Sequence, residues 1–246
     1  MAWGATGRPR RDSHPSDFFR SPVPLDTRPP PEAPWDMSED KRMAGSNIYV
    51  EIEIKAPIDQ VWELTQDPTQ HPRWDLRFSS ITPTDPLPNG GYRFRYERRI
   101  PFHTIEGTGT SLGERSRPDG TRTSALRFTT ADRLSPLGAG RGYWRYIPTD
   151  VGVRFITGYE YSPGWGKALD GLIMRRLLGW MTAWSFDRLR IWAETGIEPR
   201  LSPAVSVMRF WDRDRDRPRA SRCGRVPRRG HAMEDAPDTL STLEAP

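Results

Sequence analysis

The feature that most constrains this chain is a change of hydrophobic period along it. From residue 48 to residue 161, short runs place apolar residues at every second position between Gly, Pro and Asp turns, whereas residues 167–195 repeat them every third or fourth. Short strands joined by tight turns pair antiparallel with their neighbours. One long helix that follows them has only that sheet on which to bury its apolar stripe. The expected class is therefore α+β, a single antiparallel sheet packed against one long C-terminal helix.

The individual segments follow from the same pattern. Ile48-Tyr49-Val50-Glu51-Ile52-Glu53-Ile54-Lys55 alternates throughout, as a half-buried strand does. Ala56-Pro57 ends it, and Ile58, Val61 and Trp62 then fall at helical spacing. Asp67-Pro68 supplies an acid and a proline suited to a first helical turn, so a second short helix or turn leads to Trp74. Further strands are expected over 77–82, 91–97, 105–114 and 122–130. Tyr92, Phe94 and Tyr96 share one face, as do Leu126 and Phe128, and Gly107 and Gly109 mark a face where a large neighbour or a ligand comes close.

The last hairpin, 142–161, turns at Thr149-Asp150-Val151-Gly152. Arg154 and Glu160 belong in water, so Phe155, Thr157 and Tyr159 face the interior. A three-residue loop with Gly152 left-handed pairs Thr149 with Val153 and sends Tyr143, Arg145 and Ile147 inward. A four-residue loop sends Trp144 and Tyr146 inward instead. The first register is adopted as the expectation. The terminal helix should present Leu169, Ile173, Leu177, Trp180 and Trp184 to the sheet, and Gly196 with Pro199 stops it.

Composition divides the chain into three parts. Residues 1–45 carry eight prolines and no apolar period, which predicts a disordered Pro-rich arm. Residues 46–195 suffice for one domain with its own core. Residues 196–246 are expected to be a disordered Arg-rich tail, with nine arginines against three aspartates over 209–229. Such a tail can touch an anionic surface weakly, and no specific nucleic-acid partner is expected. The single cysteine, Cys223, excludes an intrachain disulfide and fits a reducing, cytoplasmic setting. No apolar stretch follows Arg8, Arg10 and Arg11 as in a secretion signal, and Asp170, Arg175 and Arg176 interrupt the most apolar window, 169–184. Neither secretion nor a membrane-spanning helix is expected. Because the foldable pattern begins at Asn47-Ile48, translation from Met37 or Met43 is a further expectation.

Two segments carry a resemblance: Ala56-Pro57-Ile58-Asp59-Gln60-Val61-Trp62, and the stretch from Asp67-Pro68 to Trp74-Asp75. With the order of elements, they resemble the START-related helix-grip superfamily (SRPBCC), which includes polyketide aromatase/cyclases and lipid-transfer proteins. Trp74-Asp75-Leu76-Arg77-Phe78 and Trp184-Ser185-Phe186-Asp187-Arg188-Leu189 are similar to a bacterial subgroup of it. The resemblance covers about residues 46–194. It implies a curved antiparallel sheet wrapped around the terminal helix, two short helices after the first strand, and a cavity between sheet and helix for an apolar molecule. In the family these motifs mark the fold rather than a catalytic site.

Chemistry-bearing residues are few. His14, His71, His103 and His231 show no metal-ligand spacing, and no phosphate-binding loop or nucleophile elbow is present, so neither metal nor cofactor is expected. The expected ligand-binding set is Trp74, Tyr92, Phe94, Phe128, Tyr143, Arg145, Phe155, Thr157, Tyr159, Trp180 and Trp184, with core packing the plain alternative for each aromatic. Arg145 with Tyr159 could orient a carbonyl or carboxylate, and Tyr159, Arg145 and His103 are the acid-base candidates. Asp75 is expected to cap a turn. The leading expectation is a protein that binds or transports a hydrophobic small molecule without requiring catalysis. A polyketide aromatase/cyclase-like enzyme is the alternative, and an interaction module working through the tail is a third reading.

Overall fold

The computed structural model describes residues 47–115, 117–198 and 217–246. The expected arm and the tail arginines Arg213 and Arg215 lie outside these residues. Seven strands form one antiparallel sheet: β1 (Asn47–Ile54), β2 (Ser80–Pro86), β3 (Tyr92–Ile100), β4 (His103–Glu114), β5 (Arg122–Thr129), β6 (Leu137–Thr149) and β7 (Gly152–Pro163). Their order is β1-β7-β6-β5-β4-β3-β2, a meander from β2 to β7 with β1 added at the far edge. Between β1 and β2 stand the two short helices α1 (Ile58–Gln66) and α2 (His71–Trp74). The terminal helix begins as α3 (Lys167–Leu169), passes through a π turn (Asp170–Met174) and continues as α4 (Arg175–Thr195), capped by Gly196 at φ 71°. This is the helix-grip arrangement, a curved sheet around a long C-terminal helix.

The core forms where the inner face of β1, β7 and β6 meets α4. Val50, Ile54, Val153, Phe155, Phe186 and Leu189 are fully buried there. The two motif segments are joined at this seam. Trp74 donates its indole N–H to Leu64 O, Ser185 Oγ accepts the Leu76 N–H, and the Arg188 guanidinium donates to the carbonyls of Trp74 (3.0 Å) and Arg73 (2.6 Å) at the end of α2. Burial pushes the Arg188 guanidinium down to about 10. An arginine there satisfies otherwise orphaned helix carbonyls, which explains why these residues mark a fold.

Three expectations are corrected. First, Thr149 pairs with Gly152, so the last turn has two residues between its strands. Trp144 and Tyr146 therefore lie opposite Thr157 and Phe155 on the inner face, while Tyr143, Arg145 and Ile147 take the outer face. Gly152 is needed because β1 ends against it: a Cβ there would stand 2.1 Å from Ile54 O. Second, Asp170, Met174, Leu178 and Thr182 point inward, while Leu169, Ile173 and Leu177 are exposed. Inward-facing Asp170 and Thr182 hydrogen-bond the buried phenols of Tyr161 (2.5 Å) and Tyr159 (2.9 Å), and these polar anchors override the more apolar stripe. Third, residues 217–246 do not form a solvated extension.

That last segment lies against the domain. Ala220–Arg222 forms a short 3-10 turn beside α4, Arg222 pairs with the buried Asp187, and Gly224 bridges to Glu51 on the edge strand β1. Beyond it, Ala232, Leu240 and Leu243 bury themselves on the outer sheet face, against Tyr143 and Ala125 among others. Single apolar residues on an irregular backbone have no period to read, so the sequence pattern missed them.

Candidate functional site

Strand alternation and two close approaches build a cavity of about 390 Å³ between the inner face of β3–β7 and the terminal helix. Tyr92, Phe94 and Tyr96 project from β3 into it, as their shared parity requires. The rings of Phe94 and Tyr96 lie flat over Gly109 and Gly107 of β4: a Cβ at either glycine would come within 2.3 Å of the ring. Glycine at these two positions lets the aromatic wall lie against the sheet and leaves space above it. Leu126, Phe128 and Leu137 extend the wall, and Met174, Leu178 and Met181 close it from the helix.

Two polar clusters interrupt this apolar lining. Near the α1 end it is neutral: the Tyr146 phenol meets Thr65 Oγ1 at 2.6 Å and accepts from Gln66 Nε2 at 3.0 Å, with Ser111, Ser124 and Tyr92 alongside. Six residues farther along β3, roughly 20 Å at the usual rise per residue, stands Arg98. The buried Asp75 acts on it electrostatically, and the partners of Asp75, Arg77 and His71, line the cavity together with Tyr159.

In this charged cluster Asp75 organises its neighbours. Its carboxylate, fully buried, accepts from Arg77 Nε (3.0 Å) and a terminal guanidinium nitrogen (2.7 Å), from the Arg77 backbone N–H (3.0 Å), and faces His71 Nε2 at 3.1 Å. The backbone bond is the turn-capping role expected of Asp75. Burial alone would raise its pKa, yet Arg77 and His71 hold it well below the usual carboxylate range. Burial pushes His71 below its ordinary value, so the imidazole is neutral at neutral pH. Arg98 lines the cavity with no salt bridge to a described residue, and burial lowers its pKa as well. Two guanidiniums thus face one carboxylate, an electropositive end to an apolar cavity. Tyr159 reaches Thr182 with its phenol, beside the Arg77 guanidinium 5.5 Å from its ring, and burial raises its pKa. It is a hydrogen-bond donor at neutral pH rather than a base.

The expected site residues separate into three groups. Tyr92, Phe94, Phe128, Thr157 and Tyr159 line the cavity. Trp74, Phe155, Trp180 and Trp184 do not: Trp74 and Phe155 are fully buried in the core, Phe155 stacks on Phe186 at 4.5 Å, and Trp184 stacks on the half-buried Trp180. Tyr143 borders the cavity, but its ring lies on the opposite face and donates to Ala232 O; Arg145, also outside, pairs with Asp235. His103 sits off the cavity wall at the start of β4, 2.7 Å from Asp132. His71, Arg77 and Arg98 are the polar residues that sequence reasoning passed over. For Arg98 the signal was present, since it continues the parity of Tyr92, Phe94 and Tyr96. Among the described residues no group of His, Cys, Asp and Glu is placed to hold a metal ion.

Known proteins similar to this chain fall into a relative in sequence, likenesses of fold and a family. The chain is 43% identical over 158 residues to an "uncharacterized membrane protein YndG" of Bacillus subtilis; the match takes in 62% of this chain and 59% of that protein's length. Among the described residues, no helix is long and apolar enough to cross a membrane. Among solved structures it is similar to the di-domain aromatase/cyclase StfQ of the steffimycin pathway, with a TM-score of 0.50 at 14% identity over 65% of this chain and 55% of that one, a likeness of fold alone. It is also similar to the lipid transfer and protein localization domain of human StarD13 (TM-score 0.45, 15% identity, 61% and 76% of the two chains). A family model for polyketide cyclase/dehydrase and lipid transport matches residues 46–194, more than half of the chain, and to that family the chain belongs.

Proposed function

We propose that this protein binds a hydrophobic small molecule of lipid or polyketide type in the cavity between sheet and terminal helix, and carries it. The observation behind this reading is the cavity itself: about 390 Å³, walled by Phe94, Tyr96, Phe128 and Met181, with most of its polar residues gathered in two clusters. Pockets of this size and lining bury most of a small apolar ligand's surface. Arg77 and Arg98 take the anchoring role expected of Arg145, because they face the cavity and Arg145 does not. A carrier working in the cytoplasm is the setting we propose. Titration with an environment-sensitive apolar dye tests the reading. One dye per chain should bind, and Leu126→Trp, which fills the cavity, should displace it; a folded chain that binds no dye, or binds it equally well after that substitution, would reject the proposal.

One observation favours a cyclase-like second reading: the Tyr159 phenol and the Arg77 guanidinium stand together on the cavity wall. The phenol can donate to a developing enolate while the guanidinium stabilises its charge. Under that reading, Tyr159→Phe keeps ligand affinity and loses turnover; under the carrier reading both chains bind alike and neither transforms the ligand.

A further inference from the structure

The rim of the cavity is a second site of a different kind. Exposed large apolar residues gather there: Leu134, Trp165 and Leu177 line the cavity, Leu172 and Ile173 precede Leu177 in the helix, and Phe102 follows the lining residue Ile100 in a hairpin whose His103 meets Asp132 beside Leu134. Phe102 is wholly in solvent at the tip of the β3–β4 hairpin and, at φ 67°, holds a backbone conformation that no other non-glycine among the described residues adopts. A free aromatic ring on such a backbone costs stability unless something receives it. The helix repeats the theme. Asp170 and Met174 turn inward, which leaves Leu172, 67% exposed, and Ile173 on the outer side of the π turn. Trp165 ties the two parts of the rim together, since its indole N–H donates to Arg133 O.

Charge identifies what this surface fits. The rim segments 97–106, 130–137 and 163–178 contain six cationic side chains and four acidic ones. Each acid is already engaged: Glu97 by Arg99, Glu106 by Arg95, Asp132 by His103, and Asp170 by Tyr161 and Arg175. Arg133, Lys167 and Arg176 are exposed and have no acid paired with them among the described residues, while Arg98 faces the cavity. Apolar side chains that project beside unpaired cations match a bilayer interface with anionic headgroups, which takes the apolar tips into its acyl boundary and the cations into its headgroup layer.

We infer that the cavity rim docks on an anionic membrane surface, with Phe102, Trp165, Leu172 and Ile173 inserted, so that the cavity opens toward the acyl layer. Contact of this kind was expected of the Arg-rich tail. In the structure Arg222 and Arg228 of that tail are instead paired with Asp187 and Glu51. Docking needs only the rim, so vesicle binding reads separately from occupancy of the cavity.

The test is co-sedimentation of the full chain with phosphatidylcholine vesicles and with vesicles of equal phosphatidylcholine and phosphatidylglycerol. The wild type should partition onto the mixed vesicles at least tenfold more strongly than onto the neutral ones, since each unpaired basic residue near the surface contributes about 1 kcal/mol. The variant F102S/L172S should lose roughly tenfold or more of that binding through its lost apolar contact, with an unchanged circular dichroism spectrum. K167E/R176E should lose the preference for phosphatidylglycerol. Absence of wild-type binding to mixed vesicles, or unchanged binding by F102S/L172S, overturns the inference. A concentration-dependent dimer that F102S/L172S abolishes, with no vesicle binding, also overturns it and assigns the rim to a second copy of this chain.

Discussion

The two ends of the terminal helix make opposite use of similar residues. Over 182–189 every side chain is buried, and its polar groups meet partners: Thr182 reaches Tyr159, Ser185 accepts from Leu76, Asp187 holds Arg190 and Arg222, and Arg188 caps α2. Over 169–177, by contrast, Leu169, Leu172, Ile173 and Leu177 stand exposed, and Leu177 lines the cavity. Burying a polar residue with all its bonds made fixes a single arrangement, whereas leaving apolar residues outside gives up stability for contact with something else. The first end holds the motif segments together and the second borders the cavity.

The contrast can be broken most severely at the fixed end. Asp75→Asn leaves the buried Arg77 guanidinium without its carboxylate, and unfolding in urea should show a loss of about 3–5 kcal/mol, as expected when one partner of a buried ion pair is removed. A loss under 1 kcal/mol would mean that the charged cluster does not brace the fold. Gly109→Val forces the Phe94 ring off the sheet and into the cavity. Overpacking of this kind costs about 1–3 kcal/mol, and the substitution should also abolish dye binding.

A smaller effect follows from His71. Its folded pKa lies below the unfolded value of 6.5, so the unfolded chain takes up a proton that the folded chain refuses. Stability should therefore fall as pH drops below about 6.5, until the folded imidazole titrates too, and His71→Gln should flatten this part of the profile. An identical slope in the variant would place the pH dependence elsewhere. At the exposed end, Leu172→Ser should change stability by no more than about 0.5 kcal/mol. A large loss there would show that Leu172 is part of the core and remove the contrast.

How far the sequence carried the reading follows from the same physics. The α+β class, the two short helices and the inward aromatics of β3 are legible because period and parity are local properties. Tyr143 and Arg145 take the face opposite to the expected one because the turn at Asp150-Val151 is one residue shorter than a loop with Gly152 left-handed, and a single residue inverts a strand. The helix face was misassigned because the helix is apolar on two sides, and what orients it, the phenols of Tyr159 and Tyr161 meeting Thr182 and Asp170, lies far away along the chain or reads as polar. The charged cluster brings Asp75 and Arg77 together with Tyr159 and Arg98 from β7 and β3, a meeting that only the folded sheet creates. The packing of residues 220–243, within the tail expected over 196–246, is not legible because isolated apolar residues on irregular backbone leave no period.

The most direct test of the ligand-carrying cavity is native mass spectrometry of the full chain as purified, followed by extraction and identification of whatever it holds. The account predicts one apolar molecule per chain, lost in Leu126→Trp. A bare chain that also takes up nothing from a broad apolar library would contradict it.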